Sequence, residues 1–179
     1  RFDKVKKYKD SDNAEQQKQY QEAKTKLMAL LESNIDNVRQ TFYRQTMFAA
    51  WEMEAHKMAE SNQPLTKESM SQLYGDFLKK FHGPAAEYTE LSYMSWARIP
   101  HFYRNYYVYS YATSYAAAMA LAKDIMDEYK GDRSKKGARE RFMTFLGSGS
   151  SKHPVELLQD AGVDMTTPRP VESLISVFT

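Results

Sequence analysis

Residues 96–122 read WARIPHFYRNYYVYSYATSYAAAMALA and put six tyrosines and a histidine into one apparent helix. A plain core uses Leu and Phe, which carry no polar group that must find a partner. The phenol hydroxyls are therefore either satisfied structurally, on backbone carbonyls, or aimed into a cavity that needs hydrogen-bond donors. At about 100° per residue, Phe102, Tyr106, Tyr109, Thr113, Ala116 and Ala120 share one side, while Tyr103, Tyr107, Tyr111 and Tyr115 line another. With both sides aromatic, the N-terminal half is expected to be buried nearly all round. The alanine-rich YAAAMALA half admits a close neighbour. His101 follows Pro100 at the start of this helix, where free N–H groups and partial positive charge favour an anion or oxyanion. His101, the tyrosines and the helix start together make a donor cluster suited to a tetrahedral intermediate.

Other polar residues have simpler readings. Arg44, Gln45 and Glu52, in YRQTMFAAWE, sit on a helix that looks largely buried. A buried network that ties helices together accounts for them, with a substrate-facing role as the alternative. Arg98 either braces the loop before His101 or holds a substrate carboxylate. Glu52 and His56 lie four residues apart on one helix face, but a metal site needs further ligands. His82 suits a helix C-terminus, and His153 suits a cap before Pro154. The basic run KKGARER at 135–141 reads as a solvated helix face. GSGSS at 147–151 lacks the Lys-Ser/Thr of a phosphate loop and reads as a joint.

Helical spacing dominates the elements that must position these residues, and no useful Val/Ile alternation occurs. A helix is expected over 11–33, with caps among Ser11 to Asn13, then a second from Asn34 to about Ser61. SNQPLT breaks the chain before Thr66, which caps a third helix ending at the HGP stop, Gly83 and Pro84. Residues 84–100 form a connector with a helical turn or two. The tyrosine helix then runs from Pro100 to about Tyr129. Shorter helices follow at 138–146, from Pro154 to Gly162, and from Pro170 to Phe178. The result is an all-α chain of about seven helices. Its parts are a spacer and helix over 1–33, core helices over 34–147 and short C-terminal helices over 148–179.

Bulk properties remove several function classes. The 179 residues suit one domain or a large piece of one. Twenty-five basic against 23 acidic residues leave a net charge of +2, so no broad basic field exists for nucleic acid. Mean hydropathy is −0.70, and no apolar run approaches the roughly 20 residues of a membrane span. The absence of cysteine excludes disulfides, thiol nucleophiles and cysteine-based zinc sites. RFDKVKKYKD lacks an initiator Met and an apolar signal core, and reads as the middle of a longer, cytoplasmic chain.

The long tyrosine motif, FYRQTMFAAWEMEAH at 42–56 and HPVELLQDAGVDMTTPRPVE at 153–172 together resemble the C-terminal part of oligoendopeptidase F. These enzymes are bacterial zinc peptidases of the thimet-oligopeptidase-like group. The three motifs occur in that family's order, and the resemblance extends over nearly the whole chain from about Phe42 to Phe178. The resemblance implies a mostly helical, clam-like enzyme with a deep channel that cuts short peptides. It also implies a zinc ion held by an H-E-x-x-H helix and a later glutamate, with the motif glutamate as general base. The four histidines here are His56, His82, His101 and His153. None is followed by Glu and no two are four apart, so that zinc helix is absent from this chain. The resemblance therefore makes the chain one wall of the active site, with the zinc ligands expected outside it. It matches His101 to the histidine that binds the scissile carbonyl, and Tyr106 and Tyr109 to oxyanion-stabilising positions. Tyr103 is a further candidate, with Arg98, for binding substrate.

Two other classes compete with the peptidase. A non-catalytic α-helical module could hold a peptide on the same scaffold, and an H-E-x-x-H helix upstream would decide against it. A helical ligand carrier using the aromatic cavity would bring a coloured or fluorescent ligand through purification. The expected partners are an oligopeptide substrate and the missing N-terminal part of the same enzyme, with no nucleic acid and no membrane. An aromatic surface left without that part would invite self-association.

Overall fold

The computed structural model describes residues 9, 11 and 13–176. The end of the last expected helix, at Phe178, and most of RFDKVKKYKD lie outside them. Among the described residues every regular element is helical. The chain forms two compact units, Arg1–Gln40 and Thr41–Thr179.

Among the described residues the first unit holds one α-helix, α1 (Ala14–Val38), and a π-helical turn follows at Arg39–Tyr43. Asn13 caps α1, its Oδ1 accepting from the N–H groups of Glu15 and Gln16 at 3.0 and 3.2 Å. The expected break at Asn34 does not occur. No Gly or Pro lies between residues 14 and 43 to force the backbone out of the helix, and Asn inside a helix costs only tenths of a kcal/mol, roughly.

The second unit opens with α2 (Arg44–Glu60) and α3 (Lys67–His82), which pack on each other. Thr66 and Ser69 cap α3 reciprocally, each hydroxyl accepting the other's backbone N–H. Gly83 ends it at φ +72°, as the HGP stop predicts. The connector holds the turn α4 (Glu90–Tyr93), capped in the same way by Thr89 and Ser92, and 3₁₀ turns at Met94–Arg98 and Pro100–Tyr103. Trp51 and Phe48 of α2, Tyr74 of α3, Ile99 and Val108 build the first apolar cluster. The other helices are α5 (Tyr109–Tyr129), α6 (Ala138–Gly147), α7 (Pro154–Asp160) and α8 (Arg169–Ile175). Ala117 and Leu121 of α5, with Ala161 and Val163, build the second cluster, so the small face of α5 does admit close neighbours.

The tyrosine helix is corrected at its start. Pro100–Tyr103 is a single 3₁₀ turn, the chain leaves helical geometry at Arg104, and α5 begins only at Tyr109. Tyr106 sits at φ +54°, a left-handed conformation uncommon for a bulky residue. Aromatic and β-branched residues in NYYVY are weak helix formers, and a side chain of α2 captures the Tyr106 N–H instead. Tyr106 and Tyr109 therefore do not share a helical face. The burial expected for this half fails as well: Tyr103, Tyr106 and Tyr109 are 84%, 50% and 56% exposed.

The joint between α5 and α6 yields a pH prediction. The Glu128 carboxylate accepts from the N–H of Arg139 at 2.9 Å and of Gly137 at 2.6 Å, which satisfies the open N-terminus of α6. Those two bonds hold its pKa below the ordinary 4.5. A folded pKa below the unfolded one stabilises the fold fully above the unfolded value. The contribution fades as pH falls through the folded value. Thermal melts against pH should show that acid loss, and Glu128→Gln should lower the neutral-pH melting temperature while flattening the acid limb. An unchanged acid limb in the variant would assign the loss to other carboxylates.

Candidate active site

His101 is fixed by the Pro100–Tyr103 turn, whose first residue presets the backbone. Its Nε2 lies 3.4 Å from the hydroxyl of Tyr111, in the first turns of α5. The Tyr107 ring lies nearly parallel to the imidazole, centroids 6.4 Å apart, and meets Tyr111 edge-on at 5.4 Å. The Arg104 guanidinium covers the Tyr107 ring at 4.6 Å, a cation–π contact. The bulge at 104–108 thus brings Tyr107 and Tyr111 to the histidine.

The protons of this cluster matter. His101 Nδ1 is buried and has no hydrogen-bond partner among the described residues. If Tyr111 donates to Nε2, the neutral ring carries its proton on Nδ1, a buried donor awaiting an acceptor. If Nε2–H donates to the Tyr111 oxygen, Nδ1 is an acceptor and the phenol proton is directed to Tyr107. A hydrogen bond with Tyr107, and secondarily burial, push the Tyr111 phenol above its ordinary value of 10.0, so it stays a neutral donor at physiological pH.

A second cluster holds Tyr106. Glu52 is 4% exposed, and its Oε1 accepts from the Tyr106 N–H at 2.9 Å. The Tyr106 ring lies 4.6 Å from the His56 imidazole at a 31° tilt. The Glu52 and His56 side chains share one face of α2, as their spacing requires. Both line a cavity of about 340 Å³ whose wall also includes Trp51, Trp96, Phe102 and Tyr103. Among the described residues no three His, Cys, Asp or Glu side chains gather as a metal site. The described residues therefore do not fit the zinc that the resemblance implies.

The five site residues expected from sequence are dispersed. His101 and Tyr103 share one turn, Tyr106 lies in the bulge, Tyr109 opens α5, and Arg98 ends the preceding 3₁₀ turn, exposed. Arg98 is close enough for its charge, after that of Arg44, to act against the burial that raises the Tyr74 phenol, which suits a brace. Described contacts join His101 to Tyr107 and Tyr111, and Tyr106 to Glu52 and His56. Helical periodicity set Tyr107 and Tyr111 apart from His101, since only the bulge makes them neighbours. The one available signal was the low helix propensity of NYYVY.

Comparison with known proteins accords with this architecture. The sequence profile of Peptidase family M3 matches residues 5–176. Oligopeptidase PepF of Bacillus subtilis is 42% identical over 149 residues, which are 83% of this chain and 21% of that protein. An oligoendopeptidase F homolog of Borreliella burgdorferi is 41% identical, over 82% of this chain and 24% of its own length. The crystal structure of oligoendopeptidase-F from Enterococcus faecium superposes with a TM-score of 0.78 at 40% identity. It covers 84% of this chain and 28% of that one. The chain thus spans about a quarter of the length of the relatives it matches.

Proposed function

The chain belongs to peptidase family M3, and on that premise we propose that it is the C-terminal wall of the active site of a zinc-dependent endopeptidase acting on short peptides. The observation that carries this reading is His101 held against the Tyr111 hydroxyl, with its Nδ1 unpaired among the described residues, in a family of peptidases. In this reading the zinc is held by residues outside the chain, and activation of the attacking water belongs there too.

What this chain contributes is donors. His101, with Tyr106 and Tyr109, binds the oxygen of the scissile carbonyl and stabilises the negative charge that grows on it. Tyr111, by its contact with His101, belongs with this set. One preorganised donor of this kind is worth about 10²–10³ in kcat. Tyr103 and Arg98, both exposed, bind the peptide to either side, Arg98 by its charge.

Hydrolysis of a short internally quenched peptide by the complete protein tests the reading. Cleavage that a chelator abolishes and added zinc restores is expected, with a folded protein left intact. Peptide binding without cleavage in the zinc-loaded protein would overturn it in favour of the non-catalytic peptide-binding module.

A further inference from the structure

The geometry points to Glu52 as a positioning residue for Tyr106, a role that rests on the active-site reading above. Glu52 is the one charged side chain among the buried described residues, at 4% exposure. A carboxylate in an apolar cluster is costly unless it is hydrogen-bonded, so its placement needs a reason. The structure supplies one. Its Oε1 accepts the backbone N–H of Tyr106 at 2.9 Å, across 54 residues of sequence.

That bond acts on the residue whose backbone is least at ease. Tyr106 at φ +54° occupies a conformation that residues other than Gly, Asn and Asp avoid. It persists only where the surroundings over-determine it. A charge-assisted bond to the N–H is one such restraint. The ring contact with His56, at 4.6 Å, is a second. Glu52 and His56 lie one turn apart on α2, so one rigid helix holds the Tyr106 backbone with one side chain and its ring with the other. Tyr106 remains 50% exposed, which leaves the residue accessible to a substrate. Residues four apart on a buried helix thereby set the position of a donor in a segment that has no regular structure of its own.

Nuclear magnetic resonance on this chain tests the positioning directly. The Tyr106 ring current shifts the His56 ring protons, and Tyr106→Leu gives their positions without it. Glu52→Ala should move the His56 resonances to the Tyr106→Leu positions while the helix content by circular dichroism is kept. Glu52→Gln retains an oxygen acceptor and should hold them near wild type. His56 resonances unmoved by Glu52→Ala would overturn the proposal. The wild-type chain gives a test that needs no variant: the Tyr106 amide should exchange at least about tenfold slower than its unstructured-peptide rate, and an unprotected amide would overturn the proposal. In the complete enzyme, Glu52→Ala and Tyr106→Phe should each lower kcat about 10²-fold with little change in KM, and the double variant no further. Multiplied losses would show Glu52 acting elsewhere and overturn the proposal. If Tyr106→Phe leaves kcat unchanged, the donor role of Tyr106 fails, while the resonance and exchange results still decide whether Glu52 positions it.

Discussion

His101→Ala is expected to lower kcat of the complete peptidase about 10²–10³-fold with KM little changed. The reason lies in when the interaction forms. A neutral carbonyl oxygen gains little from an added donor, whereas the oxyanion that replaces it gains much, so the loss appears in the chemical step. The imidazole is held for this by the Pro100 turn on one side and by Tyr107 and Tyr111 on the other. Tyr111→Phe removes the hydroxyl against Nε2 and keeps the ring contact, so it should lower kcat in the same direction by less. The pair should be non-additive, because Tyr111 acts in part through His101. Steady-state kinetics on the two single variants and the double variant check this. A His101→Ala enzyme with wild-type kcat would remove the histidine from the mechanism.

Trp51→Ala should cost about 3–5 kcal/mol of stability, the range for deleting a large aromatic side chain from a core. Trp51 is 3% exposed and lies at the centre of an aromatic cluster. Its ring centroid is 4.5 Å from Phe102, 5.7 Å from Trp96 and 5.9 Å from Tyr74, and its indole N–H donates to the Met70 carbonyl at 3.3 Å. The substitution opens a void between α2, α3 and the connector and removes the indole hydrogen bond to the Met70 carbonyl. Against a typical total of about 5–15 kcal/mol the loss is large. Phe102 directly follows His101, so loosening its packing also loosens the turn that carries His101. Urea unfolding should show a much lower midpoint with the slope unchanged, and Trp51→Phe should recover part of the loss. A loss under about 1 kcal/mol would mean that the cluster collapses onto the vacancy.

The helices with explicit end signals were legible in the sequence. Thr66, Gly83, Pro154 and the SNQPLT break all mark boundaries, because a cap, a left-handed glycine or a proline acts locally whatever surrounds it. Asn34 shows the limit of that logic, since a cap residue does not end a helix when nothing forces the backbone to turn. The bulge at 104–108 was not legible for a different reason. Its stability comes from Glu52, 54 residues away, and periodicity treats a stretch as though its neighbours were only local. The candidate site is affected in the same way: His101 is marked by its place after Pro100 and by the family motif, whereas the helical face that Tyr106 and Tyr109 were expected to share is removed by the bulge. Glu52 and His56 were noticed as a pair four residues apart. Spacing alone suggests a shared metal, whereas a shared hold on Tyr106 depends on a contact 54 residues away in sequence.

The measurement closest to the central claim is zinc per chain, by elemental analysis of purified, chelator-free protein whose intact mass matches these 179 residues. With the carbonyl-binding donors in this segment and the metal held by another, a value near zero is expected. A value near one would contradict it, and the four histidines and their acidic neighbours would then have to be reassigned as ligands.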